Sequence, residues 1–327
     1  YSAQQNNDPR WYGYAHASLA PWWKESQRYP RVALLKATIL QHRHQFPDAL
    51  IELNYALQQQ PRNIQALLIR AQVNMMQANY HAAQQDCQHI LWLSNPTLGI
   101  NCIAQVNGLT GQGQHAIVQL TALLSNRKLL TGLERAEIHT SIATIAHRQR
   151  RNTLALSHYQ QAYAINPNNS YLIEQFSDYL VEQKYTKRLL ALFANTGGNN
   201  INRNLDQKIK MVQHYQQVDD VQFEPLKTEL SKHFDEARIR NGLFPHKEFS
   251  IFSMTISYDF NQALASALDN WAIQKSPSDA LLVLRSAIAS QQFQQANPVI
   301  QWVTDTQVYD HRIESLINSI NNHRASL

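Results

Sequence analysis

Glycine and proline are scarce in this chain. Its 327 residues include only 9 glycines and 11 prolines, the two residue types that most often interrupt helices and strands. The composition therefore predicts few long irregular segments and a chain that is helical over most of its length. No run of 18 apolar residues occurs, so the sequence predicts no transmembrane helix within it.

Charge is scarce as well. Charged residues make up 16% of the chain, below the usual quarter or so, and Gln and Asn supply much of the polar surface. The net charge of +5 is mild for this length, and we predict no nucleic-acid partner because such proteins cluster their basic residues on one face. The densest basic cluster, residues 147–151, is interpreted as a helix end that complements the helix dipole. A patch for an anionic partner is the alternative.

Sequence motifs for catalysis are absent too. The chain has no phosphate-binding glycine loop, no G-x-S-x-G, no H-E-x-x-H and no C-x-x-C, so we predict that it is not an enzyme and holds no cofactor. Its 14 histidines do not have the spacing of a metal site. His42 and His44 point to different faces of a helix, and His139 and His147 lie about 12 Å apart by helix rise. We predict no metal site.

What the chain does contain is a repeat. Two adjoining stretches share one pattern: RVALLKATILQHRHQFPDALIELNYALQQQP and IQALLIRAQVNMMQANYHAAQQDCQHILWLSNP. Ala37 aligns with Ala71, and Ala49 with Ala83, each pair 34 positions apart. The small residues allow the two helices of one unit to cross closely, and large apolar neighbours fill the space between units. A helical pattern with this period is typical of stacked helix pairs.

With this pattern the chain resembles the tetratricopeptide-repeat (TPR) superfamily. Further matching units follow at about 97–129, 136–167 and 170–194. The segments DPRWYGYAHASLAPWW, DCQHI…NCIAQVNGLTGQ and HKEFSIF…NWAIQKSPSDA…PVIQWV also resemble a group of exported bacterial TPR proteins. That narrower resemblance implies no activity. Proteins of this general type act as scaffolds for protein assembly.

The predicted fold class is all-α, a right-handed α-solenoid of antiparallel helix pairs with a degenerate C-terminal repeat region. Residues 1–29 are predicted to form N-terminal capping helices, and 30–194 an array of about five repeats. Residues 195–327 are predicted to form divergent helical repeats and a C-terminal capping helix. A turn-rich break at residues 196–200 separates the last two regions.

The first helix of each pair lines the concave face in TPR solenoids, which allows a binding groove to be projected from the register. Amide and hydroxyl groups there suit an extended peptide, and methionine offers adaptable apolar contact. A solvated face without a ligand is the alternative. The predicted groove residues are Thr38, Gln41, His42, Gln72, Met75, Met76, Asn101, Gln105, Thr144, His147, Arg148, Tyr171, Glu174 and Asp178.

The two cysteines, Cys87 and Cys102, fall on helices that the register places against each other. A disulfide between them would close a loop of 15 residues and stabilise by roughly 3 kcal/mol in the chain-entropy picture. Two buried thiols acting as small hydrophobes are the other interpretation, and a metal or redox role is a third.

The predicted function is a non-catalytic scaffold that binds a protein or extended peptide in the groove. The alternative is an accessory protein of an envelope enzyme or transport complex, which binds a metal or small ligand through its His-rich faces. The resemblance to exported bacterial TPR proteins implies the bacterial periplasm or cell envelope, with a signal peptide removed. The polar start YSAQQNND is typical of a mature N-terminus after signal removal, or of the edge of a longer chain. The cytoplasm is the alternative.

Overall fold

A computed structural model describes residues 10–93, 96–126, 130–196, 204–239 and 244–325. These residues form helices joined by turns, and no strand occurs among them. The polar start, residues 1–8, and residues 197–200 of the predicted break lie outside the described residues. Within the described ranges, no helix combines the length and the apolar character needed to cross a bilayer.

Residue contacts divide the chain into two compact units. Unit 1 comprises residues 1–170 with the short segments 273–276 and 306–310, and unit 2 comprises the remainder up to residue 327. The division falls at residues 170 and 171, whereas the sequence placed the end of the regular repeats at residue 194. The two units are therefore described separately.

Unit 1 consists of consecutive helices connected by short turns. A 3₁₀ helix, Ala20–Arg28, follows the first α-helix. The α-helices are α1 Arg10–Leu19, α2 Pro30–His42, α3 Phe46–Gln59, α4 Ile64–Met76, α5 Tyr80–Trp92, α6 Pro96–Leu109, α7 Gly113–Ser125, α8 Gly132–Arg148 and α9 Asn152–Ile165.

Unit 2 also consists of consecutive helices joined by turns. A second 3₁₀ helix, Phe293–Ala296, precedes its penultimate α-helix. The α-helices are α10 Ser170–Glu182, α11 Thr186–Thr196, α12 Leu205–Gln217, α13 Phe223–Ile239, α14 His246–Thr255, α15 Phe260–Ile273, α16 Pro277–Ala289, α17 Asn297–Thr306 and α18 His311–Ala325.

Helices pair in the order of the chain, and each predicted repeat of unit 1 corresponds to one pair. Ala37, Ala49, Ala71 and Ala83 are all fully buried, as expected for the small residues at the crossing of each pair. The prediction of an all-α fold built of antiparallel helix pairs is confirmed. The first helix of a pair is called its A helix below.

The turns after the A helices, except the turn after α14, share one backbone geometry. In the first pair, His44 has φ 56°, and the amide of Gln45 donates to the carbonyl of Leu40 at 2.9 Å. This is the Schellman motif, which satisfies the last carbonyls of a helix with a left-handed residue. Glycine favours that conformation, yet only one of the turns uses it. The left-handed residues at the turns after the A helices, that after α14 included, are His44, Ala78, Gly111, Arg150, Lys184, Asp219, Tyr258 and Gln291.

Two features hold the A helices of unit 1 in place beyond ordinary packing. The structure joins Cys87 of α5 to Cys102 of α6 in a disulfide, with Cα atoms 5.3 Å apart. The amide of Lys275 donates to the carbonyl of Met76 at 2.8 Å, and that of Tyr309 donates to the carbonyl of Leu109 at 2.9 Å. Carbonyls at the ends of α4 and α6 are thereby satisfied by the short segments that belong to unit 1.

Candidate peptide-binding surface

Three amide side chains on the A helices α2, α4 and α6 of unit 1, Gln41, Gln72 and Gln105, are called the amide row; they take part in two separate hydrogen bonds. Gln41 of α2 and Gln72 of α4 meet side by side, with Nε2 of the first 3.4 Å from Oε1 of the second. Gln105 of α6 reaches Oγ of Ser141 in α8 at 3.3 Å. These hydrogen bonds lie at the long end of the range. Gln72 is exposed, and Gln41 and Gln105 are half-buried.

Two predicted residues on α2 flank this row. Thr38 turns its hydroxyl back to the carbonyl of Leu34 at 2.9 Å, so its donor is used within the helix. His42 stacks on the ring of Tyr12, with centroids 3.5 Å apart. Loss of water, which follows from this stacking, and the nearby charges of His44 and Arg43 lower the pKa of His42 to about 4. The imidazole is therefore neutral at pH 7 and offers one donor and one acceptor.

Four other predicted groove residues are buried, which corrects the expectation that they line an open surface. Thr144 and His147 lie on α8, whose residues from 138 to 147 are all buried, and the Thr144 hydroxyl donates to the carbonyl of Ser141 at 3.0 Å. Met76, at the end of α4, is half-buried. Packing of α8 on nearly every side leaves no free face at its C-terminal half. The buried residues are Met75, Asn101, Thr144 and His147.

The basic cluster at the end of α8 does not form one cationic patch. Arg148 is half-buried, and its Nη2 atom lies 3.2 Å from the position that a Cβ on Gly108 would take. Arg151 donates from Nη1 to Oε1 of Gln114 at 2.6 Å, and Arg150 occupies the left-handed turn. The three arginines therefore lie in different surroundings and do not combine into one cationic surface. This leaves little support for the alternative of an anionic polymer site.

In unit 2 the predicted groove residues engage other side chains of the same unit. Glu174 pairs with Lys247 at 2.9 Å, and Asp178 pairs with Lys210 at 2.5 Å. Tyr171 is 54% exposed. Because both carboxylates already have cations, this part of the predicted groove is occupied by the protein's own ion pairs.

The ion pairs of unit 2 form a partly buried cluster, centred on Lys210, that the sequence did not predict. Lys210 also contacts Asp206, at 2.7 Å, and its Nζ donates to Ser177 Oγ at 2.8 Å. Burial raises the pKa of Asp206 to about 6, although Lys210 opposes the shift. Burial likewise opposes ionisation of Asp178, but the Lys210 and Lys247 charges outweigh it and lower the pKa of Asp178. The i, i+4 spacing of Asp206 and Lys210 is the feature of the sequence that could have indicated this cluster.

A second feature missed by the sequence analysis is a pocket at the start of unit 1, the N-terminal pocket. It has a volume of about 310 Å³, and its lining includes Trp23, Lys36, Leu40, Arg43, Asp48 and Glu52. Lys36 and Glu52 form an ion pair at 2.8 Å, with side chains 17% and 6% exposed. A lysine and a glutamate among buried apolar positions of α2 and α3 were the signal that could have indicated it.

Histidine does not build a metal site in the part of the chain that the structure describes. No group of three or more His, Cys, Asp or Glu side chains there could hold a metal ion. His139 and His158 do meet, with Nδ1 atoms 2.9 Å apart, which is the distance of a hydrogen bond rather than of two ligands on one ion.

Comparisons with known proteins do not indicate a function. No family model matches the chain, and no curated protein matches it. Among solved structures, it is similar to the crystal structure of the yeast Tom70, over 96% of this chain and 92% of that chain, with 9% identity and a TM-score of 0.29. A superposition of this quality carries no information about function.

Proposed function

We propose that this protein is a non-catalytic scaffold that binds an extended segment of a partner protein along the amide row of unit 1. The observation that carries this proposal is the pair Gln41 and Gln72, which meet at 3.4 Å on a partly exposed surface. An extended peptide has unpaired N–H and C=O groups, and neighbouring amides can donate to one and accept from the other.

The long hydrogen bonds of the row support this proposal. The Gln41–Gln72 and Gln105–Ser141 bonds, at 3.4 and 3.3 Å, are weaker than bonds at about 2.9 Å. Exchanging them for bonds to a peptide backbone therefore costs little. The neutral His42 at the end of the row adds one further donor and acceptor. Unit 2 lacks such a row among its described residues, because its acidic groove positions are paired with lysines.

Photo-crosslinking of the full chain tests the site. A benzophenone amino acid in place of Gln72 should capture partner proteins from an extract of the source cells, and the same group in place of the exposed Gln88 on α5 should not. The captured band should weaken when Gln41→Ala is added. Equal capture from both positions, or none from position 72, would exclude the amide row as the binding surface.

We further propose that the protein works in an oxidising compartment such as the bacterial periplasm or cell envelope. The disulfide between Cys87 and Cys102 supports this, because stable disulfides are rare in the reducing cytoplasm. Alkylation of protein taken directly from cells, without reductant, should leave both cysteines unmodified. Two alkylated thiols in the folded native protein would favour the cytoplasm.

A further inference from the structure

The N-terminal pocket has a buried carboxylate that is only half satisfied. Glu52 is 4% exposed. Its Oε1 atom accepts from Lys36 Nζ at 2.8 Å and from Ser26 Oγ at 3.0 Å, whereas Oε2 has no hydrogen-bond partner. A buried acceptor without a donor costs free energy. Glu52, which lines the pocket, therefore has one oxygen that can accept a hydrogen bond from a further donor.

Lys36 cannot supply that donor. Its ammonium has three protons, and they are directed to Glu52 Oε1, to the Trp23 carbonyl at 3.0 Å and to Ser26 Oγ at 3.1 Å. The last torsion of a glutamate side chain is broad. The Glu52 carboxylate can therefore turn so that one oxygen stays with Lys36 while the other faces the pocket.

The lining of the pocket also includes one cation and one anion that are not paired with each other. Arg43 at the end of α2 is half-buried, and Asp48 in the first turn of α3 is exposed. Neither side chain forms a hydrogen bond or ion pair with another residue in the described part of the chain. With Lys36 and Glu52, the lining carries two positive and two negative charges, so it favours a ligand with both signs and no net charge.

Apolar surface completes the pocket. Trp23 and Leu40 both line the pocket. Lys36 Nζ lies 5.2 Å from the Trp23 ring centroid, and Leu40 is only 4% exposed. The volume of about 310 Å³ is at the small end of the roughly 300–1,000 Å³ of ligand pockets. It suits a molecule with one apolar side chain rather than a longer peptide.

We propose that the N-terminal pocket binds a free α-amino acid with an apolar side chain. The ammonium donates to Glu52 and Asp48, the carboxylate accepts from the Arg43 guanidinium, and the side chain lies against Trp23 and Leu40. This site is separate from the amide row and does not depend on peptide binding there.

Isothermal titration calorimetry of the full chain tests the proposal, with L-leucine and L-phenylalanine as probes. At least one of them should bind. N-acetyl-L-leucine lacks the ammonium and L-leucinamide lacks the carboxylate, and each should bind at least about tenfold more weakly, since a buried charged group then loses its partner. No heat from either amino acid, or equal affinity for the blocked forms, would overturn the proposal.

Three variants locate the site. Asp48→Asn and Arg43→Gln remove unpaired side-chain charges, so the fold should be retained. Affinity should fall at least about tenfold for the half-buried Arg43 and about two- to fivefold for the exposed Asp48. Glu52→Gln should, like Arg43→Gln, lower affinity at least about tenfold; if it fails to fold, the other two variants decide. Glu25→Gln is the matched control, because Glu25 pairs with Arg28 on the surface, where the two side chains are 52% and 69% exposed. The affinity of this variant for the amino acid should equal that of the parent protein. Binding that survives both Asp48→Asn and Arg43→Gln would refute the assignment.

Discussion

Replacement of Lys210 tests whether the charge cluster of unit 2 stabilises the fold. Its side chain is 6% exposed, and its Nζ lies 2.5 Å from Asp178 and 2.7 Å from Asp206. Lys210→Met keeps most of the apolar stem and removes the charge. Two carboxylates are then left close together without their shared cation.

The magnitude follows from the burial of the partners. Removal of one partner from a buried ion pair costs about 3–5 kcal/mol. The Asp178 side chain is 38% exposed, whereas that of Asp206 is 17% exposed, so solvent screens part of the effect. We therefore expect the lower end, about 3 kcal/mol, or about a 100-fold change in a local opening equilibrium.

The pH dependence separates charge from packing. In the Lys210→Met variant the pKa of Asp206 should lie well above that of an aspartate in the unfolded chain, near 4, because burial and repulsion by Asp178 favour its protonated form. At Asp178 the remaining charge of Lys247 still opposes such a rise. The folded variant then binds more protons than the unfolded chain, so its stability rises as pH falls from 7 towards 5. The penalty relative to the parent protein should shrink in the same direction.

Hydrogen exchange followed by mass spectrometry measures the local opening free energy at each pH. The relevant peptides come from α10 and α12, and their rates are corrected for intrinsic exchange. Lys208→Met is the control, because its pair with Glu229 is exposed, at 32% and 57%, and should be worth about 0–1 kcal/mol. An equal penalty at pH 7 and pH 5 would show that lost packing, not lost charge, causes the effect. A penalty as small as that of the control would refute the reasoning.

Three further predictions concern unit 1, each measured as the change in free energy of unfolding by urea. Ala78→Gly should stabilise by about 0.5 kcal/mol, because removal of left-handed strain at φ 61° outweighs the greater freedom of glycine when unfolded; destabilisation would count against the turn geometry. Gly99→Ala should lower the free energy of unfolding by about 1–3 kcal/mol, since the new Cβ would lie 2.6 Å from a backbone Cα of α5. Gly132→Ala is its control and should leave the free energy of unfolding unchanged, because its Cβ would lie 3.6 Å from the nearest atom. Reduction of the bond between Cys87 and Cys102, which closes a 15-residue separation, should cost roughly 3 kcal/mol, and an unchanged midpoint after reduction would contradict it.

The helix pairs could be predicted from sequence because their signal is periodic. Alanines such as Ala37 and Ala71 recur at the point where two helices cross, and only a small residue fits there. These alanines are fully buried, so a larger residue would not fit at their positions. The 34-residue period is therefore visible in a single sequence. The turns were less visible, since the left-handed position is taken by His44 or Ala78 as readily as by Gly111.

The sites could not be predicted as well, because they depend on contacts between residues distant in the chain. Lys247 and Glu174 form a hydrogen bond although they are 73 positions apart in the chain, and no local sequence pattern predicts such a pair. Groove projection also assumes that every A helix keeps one face free. The burial of Thr144 and His147 on α8 breaks that assumption, because α8 is enclosed on nearly all sides.

Polar groups on an A helix have different energetic roles in the two units, and this decides where a partner can bind. In unit 2, Lys210 is held by carboxylates at 2.5 and 2.7 Å, and a ligand would have to replace charge-assisted bonds that are about twice as strong as neutral ones. In unit 1, Gln41 and Gln72 share one neutral bond at 3.4 Å, near the limit of hydrogen bonding. A peptide that offers two ordinary bonds there gains more than it displaces. Binding should therefore be sought on the amides of unit 1, even though unit 2 carries the more conspicuous charges.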